Sequence, residues 1–480
     1  MSISSKTKIV ATLGPATKDK EILKEMIYAG LNVFRLNFSH GEHSEKEECI
    51  NNIRAIEKEL NVNIGIIADL QGPKIRIGKL KNENILLKND DIINFSSNVD
   101  NLPNDTYYIS YQNFANDVKI KENILIDDGK IKLEVTKVDI KNQFVSAKVV
   151  NGGYLSSNKG VNLPNTETNL PSLTEKDKKD VLFALNHDID WLALSFVRKS
   201  EDIYELKNYV QKFKKNIKII AKIEKPEAVK NIDEIINAAD GIMVARGDLG
   251  VEINFEKVPV IQKNIVDKCI EKSKPVIIAT QMMESMIQQF RPTRAEANDV
   301  ANAVNDGADA LMLSGETSVG KYPVETIQAM QNIIIYTEEH RNIYYKNFIP
   351  NIKNENFIQE SLCYNACLLA MQTSAKAIIS FTFSGYTAIE ISSHRPKANI
   401  FAFTGNKEII RNLSLLWGIN TYYFPLYEQI DEAIEYSIQV LLKEKKIKNG
   451  DIVIHVASTP LWSKDKTNML KITKIKTLQK

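Results

Sequence analysis

Eight short apolar runs, each followed by sequence with helical spacing, constrain the fold of this chain more than any other feature. The runs are continuously apolar, which is typical of strands buried on both faces in a parallel sheet. Repeated strand–helix units of this kind favour a closed (β/α)8 barrel, the TIM barrel, with an open doubly wound sheet as the alternative. The eight runs cover residues 8–13, 32–39, 64–69, 191–196, 217–223, 241–246, 276–280 and 310–314.

The alternation is interrupted after the third run. From about residue 74 to 168, short β-like runs alternate with polar turns, which predicts a separate all-β insert. After Tyr344 a further strand–helix alternation predicts a third, α/β domain, and a helix-like run over 324–346 would connect it to the barrel. The expected organisation is barrel (first part) over 1–71, β-rich lid domain over 72–168, barrel (second part) over 169–344 and C-terminal α/β domain over 345–480.

Charge and composition exclude several kinds of partner. The chain has 62 Lys and Arg against 60 Asp and Glu, for a formal charge of +2, and it has no long tail of one sign. We therefore expect neither nucleic-acid nor membrane-surface binding. The N-terminus lacks a signal-peptide pattern and no apolar run approaches the ~20 residues that span a bilayer, so we expect a cytoplasmic protein.

Polar residues end the predicted barrel strands, where barrel enzymes build their active sites. Lys222 and Glu224 alternate on one strand and should project to the same face. An ion pair that only caps the sheet is the structural alternative. Carboxylates together with Lys and Arg suit Mg²⁺ and a phosphorylated substrate, and hence phosphoryl transfer. The strand-end residues are Arg35, Asn37, Asp69, Ser195, Lys222, Glu224, Asp248, Thr280 and Glu316.

One motif imitates a phosphate-binding P-loop. Gly315, Gly320 and Lys321 have the required spacing after a strand. Tyr322, however, stands where a Ser or Thr hydroxyl would reach Mg²⁺, and Pro323 removes a backbone donor. We therefore reject this motif as a nucleotide site.

With these residues assembled, the chain resembles the pyruvate kinase family over nearly its whole length. The resemblance implies transfer of the phosphoryl group of phosphoenolpyruvate to ADP, giving ATP and pyruvate, the final step of glycolysis. The alternatives are a Mg²⁺-dependent barrel lyase acting on a pyruvate enolate and a catalytically silent regulatory homologue. The segments that carry the resemblance are 7–15, 34–41, 159–164, 220–224, 244–250, 279–286, 291–296 and 312–317.

The resemblance also implies roles for individual residues. Glu224 and Asp248 would hold Mg²⁺, for which Mn²⁺ can substitute. The substrate phosphoenolpyruvate would be bound by Arg35, Lys222, Gly247, Asp248 and Thr280. The residues with catalytic roles would be Lys222, Thr280, Arg35, Ser314 and Glu316. The nucleotide would be contacted by Asn37, His40, Arg76 and Lys159, with the insert closing as a lid that excludes water.

A monovalent-cation site is implied at Asn37, Ser39, Asp69 and Leu70. Members that require K⁺ have Glu where this chain has Lys74, and residues 69–77 are similar to the potassium-independent branch. An ammonium near the site can supply the positive field of K⁺. We therefore expect that K⁺ is not required.

Two further expectations concern the C-terminal domain and assembly. Residues 382–387 follow a strand and open a helix, a suitable place for a phosphate. Relatives activated by sugar bisphosphates often carry a basic residue where Phe383 or Tyr386 stands, so we expect weak or absent activation by fructose 1,6-bisphosphate. The resemblance implies a homotetramer.

Overall fold

The computed structural model describes residues 5–80, 84–98, 105–346, 348–424, 429–461 and 466–476. Residues 1–4, which entered the expectation about localisation, lie outside this part of the chain. The first three strands of the chain and its first two α-helices are β1 (Lys8–Thr12), α1 (Lys20–Tyr28), β2 (Val33–Asn37), α2 (His43–Leu60) and β3 (Gly65–Asp69). A short 3-10 helix covers Pro15–Thr17.

The insert after β3 is β-rich, as predicted. Its strands form a six-stranded sheet and a two-stranded sheet around a separate hydrophobic core. A four-residue helix departs from the expected all-β content. The elements are β4 (Asn84–Leu87), β5 (Ile92–Ser96), β6 (Thr106–Tyr108), α3 (Phe114–Asp117), β7 (Asn123–Ile126), β8 (Ile131–Asp139), β9 (Phe144–Asn151), β10 (Gly153–Ser156) and β11 (Val161–Asn162).

The strand–helix alternation resumes at Thr174. Thr174 accepts a hydrogen bond from the Asp177 amide and begins the first helix of this part. Two 3-10 helices cover Phe255–Lys257 and Glu284–Ile287. The other elements are α4 (Glu175–Asn186), β12 (Trp191–Leu194), α5 (Ser200–Gln211), β13 (Lys218–Ile223), α6 (Pro226–Lys230), α7 (Ile232–Ala238), β14 (Gly241–Ala245), α8 (Arg246–Glu252), α9 (Val258–Glu271), β15 (Val276–Ala279), α10 (Arg294–Asp306), β16 (Ala310–Leu313), α11 (Gly315–Ser318) and α12 (Pro323–His340).

Eight parallel strands close into a barrel, which confirms the predicted fold class. The order around the barrel is β1-β16-β15-β14-β13-β12-β3-β2. Pairing of β1 with β16 closes the ring. Strand β3 pairs directly with β12, although the inserted lid separates these two strands in sequence. All eight predicted strands are present, and the carboxyl ends of the parallel strands meet at one rim. The rejected P-loop motif begins with the short helix α11.

A C-terminal α/β domain follows the barrel, as predicted. Its five-stranded sheet has the order β19-β18-β17-β20-β21. The barrel core continues into this domain through Trp417 and Ile454, and no helix in the described part of the chain is long and apolar enough to cross a membrane. The elements are α13 (Phe357–Gln372), β17 (Ala377–Phe381), α14 (Tyr386–Ser393), β18 (Asn399–Thr404), α15 (Lys407–Asn412), a 3-10 helix (Leu413–Leu415), β19 (Ile419–Tyr423), α16 (Ile430–Lys443), β20 (Ile452–Ala457) and β21 (Met469–Lys474).

Candidate active site at the carboxyl end of the barrel

A buried lysine on β13 lies at the centre of the polar rim. The Nζ of Lys222 is 2.7 Å from Ser195 Oγ, 3.1 Å from Asp69 Oδ1 and 3.0 Å from Glu224 Oε1. Burial alone would lower the pKa of Lys222, but Asp69 and Glu224 outweigh it, so the pKa is raised. The ammonium is therefore a fixed positive charge held by three oxygens.

Arg35 provides a second buried cation beside the first. Its Nε donates to Asp69 Oδ2 at 2.7 Å, and its Nη1 donates to Thr12 Oγ1 at 2.9 Å. The Thr12 hydroxyl in turn donates to the Leu313 carbonyl oxygen at 2.9 Å. Burial acts to raise the pKa of Asp69, but Lys222 and Arg35 together hold it below its usual value. Asp69 therefore remains ionised and links the two cations.

Two carboxylates lie next to these cations. Glu224 Oε2 accepts a hydrogen bond from the Phe196 amide at 2.8 Å, and Asp248 lies in the first turn of α8. The pKa of Glu224 is raised, first by burial and also by the negative charge of Asp248, although Lys222 opposes both effects. The two carboxylates are thus near enough to repel each other.

This pair of carboxylates fits Mg²⁺. The ion takes oxygen ligands, and it commonly uses one or two carboxylates together with water and substrate oxygens. A divalent cation between Glu224 and Asp248 would relieve the repulsion that raises the pKa of Glu224. The described residues contain no cluster of three or more His, Cys, Asp or Glu side chains suited to a metal. The remaining ligands would therefore come from substrate and water.

Thr280 follows β15 in a strained backbone conformation. Its φ is 69° and that of Gln281 is 53°, a region that is costly for side chains other than glycine. Thr280 Oγ1 accepts from the Gly247 amide at 2.7 Å and donates to the Ala279 carbonyl at 2.6 Å. Arg246 Nη2 donates to the Thr280 carbonyl at 2.9 Å. The Gly247 amide, which the resemblance assigns to the substrate, here donates within the protein.

Glu316 connects the residues after β16 to those after β15. Its Oε2 accepts from the Ser314 amide at 2.7 Å, and its Oε1 accepts from the Met283 amide at 3.2 Å. The side chain is buried. Both carboxylate oxygens are engaged by backbone amides. The geometry therefore favours a role for Glu316 in positioning the segments that carry Ser314 and Met283.

The predicted monovalent-cation residues come together at the ends of β2 and β3. Asn37 pairs in register with Asp69. Asn37 Oδ1 accepts from the Ser39 amide at 3.0 Å, and the Leu70 carbonyl accepts from Ser195 Oγ at 2.8 Å. Ser195 therefore joins this group to the substrate side of the rim through its contact with the central lysine.

The candidate nucleotide contacts lie where the lid meets the barrel. Arg76 Nη1 donates to the Asn158 carbonyl at 2.9 Å, and Lys159 Nζ is 2.8 Å from Asp127 Oδ1. Burial lowers the pKa of His40, and four positive side chains lower it further: Arg76, Lys46, Lys74 and Arg35. Positive charge is thus concentrated at this junction, as nucleotide phosphates require.

Lys74 crosses the same junction. A Cβ atom at Gly160 would lie 3.0 Å from Lys74 Cε. Glycine at that position therefore leaves room for the Lys74 side chain, and Lys74 also lines a small cleft together with the barrel residues Phe196 and Lys225. The lysine that distinguishes the predicted potassium-independent pattern is thus part of the junction.

A buried carboxylate also joins the lid to the barrel. Glu252 of α8 has a fully buried side chain, and its Oε1 accepts from Asn162 Nδ2 of β11 at 2.8 Å and lies 2.6 Å from Lys225 Nζ. Its Oε2 has no hydrogen-bond partner among the described residues. The helix that carries Asp248 is thereby bound to the lid.

Three contacts of the rim were missed by the sequence analysis. The Thr12 hydroxyl holds Arg35, the Ser195 hydroxyl holds Lys222, and the Phe196 amide holds Glu224. Ser195 was predicted as a strand-end residue, and Thr12 carries the same signal, a polar residue at the carboxyl end of a strand. The Phe196 contact uses a backbone amide and has no such signal.

A closed parallel barrel with two cations and three carboxylates at its carboxyl rim, beneath a β-rich lid, is the arrangement expected of a barrel phosphotransferase. Family models support this class and refine it. Residues 4–327 match "Pyruvate kinase, barrel domain", and residues 360–473 match "Pyruvate kinase, alpha/beta domain".

Similar proteins agree with the family models. A pyruvate kinase of Sporosarcina psychrophila is 43% identical over 470 residues, which is 97% of this chain and 80% of that protein. A pyruvate kinase of Geobacillus stearothermophilus is 43% identical over 472 residues, with the same coverage. The crystal structure of a pyruvate kinase from Cryptosporidium parvum superposes with a TM-score of 0.91 at 35% identity, over 98% of this chain and 96% of that one.

The chain belongs to the pyruvate kinase family. It is a phosphotransferase that transfers the phosphoryl group of phosphoenolpyruvate to ADP in the last step of glycolysis. The lyase and the silent regulatory homologue are not favoured. Members of the family generally use Mg²⁺ and K⁺.

Proposed function

We propose that Glu224 and Asp248 hold Mg²⁺ at this site while the neighbouring cations bind phosphoenolpyruvate. The repulsion between these two carboxylates supports the assignment. When bound, Mg²⁺ supplies Lewis-acid stabilisation of charge on the phosphoryl and enolate oxygens. Mn²⁺ would occupy the same oxygen ligands.

Lys222 and Arg35 grip the phosphoryl group. Both side chains are buried and are held by Asp69, so their charges are in place before the substrate arrives. Donors that need no reorganisation during the reaction stabilise developing charge most effectively. This arrangement is the single observation that carries the proposed mechanism.

The pyruvyl carboxylate binds to Thr280 and to the amides of Gly247 and Asp248. Thr280 Oγ1 and the Gly247 amide now bond each other, so binding exchanges this bond for contacts with the carboxylate. Ser314 and Glu316 support delivery of the proton to the enolate, since Glu316 fixes the backbone of Ser314.

ADP phosphates contact Arg76 and Lys159, with His40 and Asn37 nearby. Lys159 would exchange its ion pair with Asp127 for a phosphate. Lid closure then excludes the water that would otherwise compete with ADP for the phosphoryl group. Asn37, Ser39, Asp69 and Leu70 form a monovalent-cation site that Lys74 makes dispensable. The subunits assemble as a homotetramer, which sedimentation velocity of the purified enzyme would test.

Substitution of Lys222 tests the mechanism. We expect Lys222→Met to lower kcat about a thousandfold, since a charge at ~4 Å in an effective dielectric of ~20 contributes ~4 kcal/mol. ATP and pyruvate formed from phosphoenolpyruvate and ADP would be measured together. Lys218→Met, at the opposite end of β13, is the matched control and should retain activity. Activity of Lys222→Met above about a tenth of the unmodified enzyme would contradict the role.

A further inference from the structure

A large cavity lies at the amino end of the barrel, opposite the active site. Its volume is about 650 Å³, within the range of small-molecule sites. Trp191 and Lys218, the first residues of β12 and β13, line it on the barrel side. The C-terminal domain contributes Tyr386 and Glu390 of α14 and His394, the residue that follows this helix. The cavity is therefore lined by both the barrel and the C-terminal domain.

Glu390 brings a nearly isolated carboxylate to this cavity. The residue is only 9% exposed. Within the described chain no Lys, Arg or His lies within ion-pair distance of it, and its side-chain donor is the Ser273 hydroxyl. Ser273 Oγ also donates to Ser393 Oγ at 3.0 Å. A single hydroxyl proton cannot serve both acceptors, so the carboxylate has at most a shared partner.

The surroundings of Glu390 are negative rather than positive. Burial raises its pKa to about 7, the Ser273 bond opposes this, and the charge of Glu360 adds to it. Burial also raises the pKa of Tyr386, and Glu390 and Glu360 raise it further. Two carboxyl groups and a phenol therefore share one corner of the cavity.

Two of the three lysines of the cavity wall, Lys218 and Lys274, already have partners within the protein, and the third, Lys272, is exposed to solvent. Lys218 Nζ is 3.3 Å from Asp240 Oδ1, and Lys274 Nζ donates to the Ala239 carbonyl at 2.6 Å. Lys218 and Lys274 therefore have no free charge to offer an anion. The carboxylate of Glu390, in contrast, is available to a cation. The charge distribution favours a positively charged ligand.

Two further buried polar side chains of the cavity wall have hydrogen-bonding capacity to spare. His394 is 5% exposed, and its ring has only a contact with the Lys346 backbone within the described chain. Trp191 is 3% exposed, and its indole Nε1 has no partner there. Buried polar groups are normally satisfied by protein, water or ligand. These groups extend the polar contacts available to a ligand beyond Glu390.

We propose that this cavity binds a small organic cation, with an ammonium or guanidinium group paired to Glu390. Such groups supply two or more donors, which a buried carboxylate with one shared partner can accept. The rings of Trp191 and Tyr386 suit the body of an organic ligand, and the volume exceeds what an inorganic ion would fill. Since the walls come from both domains, the ligand would stabilise their present arrangement.

Calorimetric titration of the full-length enzyme with agmatine, spermidine and tyramine tests this site. The titration is done at constant ionic strength and about pH 8, above the pKa of Glu390 of about 7. We expect saturable binding of at least one probe below about 10 mM, weakened about tenfold or more in Glu390→Gln. Glu408→Gln, an exposed substitution with the same charge change in the same domain, should bind like the unmodified enzyme.

A second measurement does not depend on how well the Glu390 variant folds. Binding should change the emission of Trp191, and Trp191→Phe should abolish that change. Catalytic activity without probe should be unaffected in Glu390→Gln, since the residue lies far from the rim. Absence of saturable binding by all three probes, equal binding by Glu390→Gln, or an emission change that survives Trp191→Phe would overturn the proposal.

Discussion

At the scale of single residues, Asp69 links the two buried cations of the rim. It is 1% exposed, and it joins Arg35 on one side and Lys222 on the other. Removal of either cation would leave a buried charge with half of its compensation, which is usually strongly destabilising. For variants at these positions, the stability of the fold should therefore be measured together with the activity.

Lys74 is the residue on which the monovalent-cation prediction depends. The unmodified enzyme should be nearly fully active in Na⁺ or tetramethylammonium buffer at matched ionic strength, because the lysine supplies positive charge at the junction. Lys74→Glu should create appreciable K⁺ dependence in the steady-state assay. Lys79→Glu, an exposed position of the same segment, is the control. Stimulation of the unmodified enzyme by K⁺ of more than about tenfold, some 1.4 kcal/mol, would rule this out.

Much of the rim could be predicted from sequence at this scale. The alternation of Lys222 and Glu224 predicted a common face, and their side chains are 3.0 Å apart. The partnership of Lys222 with Asp69 could not be predicted, because it joins β13 to β3, which lie on either side of β12 once β3 and β12 have paired. The same holds for Thr12 and Arg35, which meet only when β1 and β2 are aligned.

At the scale of elements, α8 connects the chemistry to the lid. Its first turn carries Asp248, and its last residue, Glu252, bonds Asn162 of the lid and Lys225 after β13. A change in lid position is therefore mechanically coupled to the helix that carries a proposed Mg²⁺ ligand. Glu252, which the sequence motifs do not single out, therefore has a structural role in linking the lid to α8.

Glu252→Ala tests the coupling. The substitution removes the hydrogen bond to Asn162 and should favour the open lid by about 2 kcal/mol, the contribution expected of a hydrogen bond to a charged group. We expect a higher KM for ADP and faster amide hydrogen exchange in the lid strands. Glu256→Ala, at an exposed position just beyond α8, should change neither. Unaltered ADP kinetics together with unaltered exchange in Glu252→Ala would show that the contact does not control the lid.

The segment 382–387 lies beside a cavity of about 320 Å³ in the C-terminal domain. Aromatic side chains form much of the wall, and Lys466 is the only cation among the described residues that line it. A sugar bisphosphate carries two dianionic groups and needs more positive charge than this. Fructose 1,6-bisphosphate should therefore change the half-saturating phosphoenolpyruvate concentration little in a steady-state titration, and Phe383→Arg should increase the response. A large decrease in the unmodified enzyme would contradict this expectation.

Sequence prediction of the elements failed where the apolar signal is weakest. The strands β19 and β21 were missed because they lie at the two edges of the C-terminal sheet, and their residues are largely half-buried or exposed. The helical run predicted over 324–346 ends at His340, where Arg341 adopts an extended backbone. Central barrel strands were predicted well because they are buried on both faces.

At the scale of the whole molecule, packing unites the barrel with the C-terminal domain and separates the lid. One core continues from the barrel into the C-terminal domain, whereas the lid has its own. Arg395 Nη2 of the C-terminal domain lies 2.9 Å from Asp309 Oδ2 of the barrel. The lid is therefore the part that is free to move as a body.

Acid should weaken the C-terminal domain through His455. Burial lowers its pKa to about 4, and neither ring nitrogen has a partner in the described chain. The unfolded chain takes up this proton near pH 6.5 and the folded chain does not, so stability falls as the pH decreases from about 6.5 to 4. The full effect is on the order of 3 kcal/mol.

Thermal midpoints measured across this pH range would test the contribution of His455. His455→Leu should flatten the dependence relative to the unmodified protein. His340→Leu, at an exposed position, should leave it unchanged. Equal slopes for His455→Leu and the unmodified protein would exclude His455 as the source.

The pairing of β3 with β12 across the inserted lid has a consequence for the order of folding. These neighbours in the barrel are separated in sequence by the whole insert, and β1 finds its partner β16 only near residue 310. Closing such long loops costs conformational entropy before any pairing compensates for it. The lid strands mostly pair with nearby segments and enclose their own core. During synthesis from the N-terminus, the lid can therefore fold while the barrel around it still lacks its closing strand.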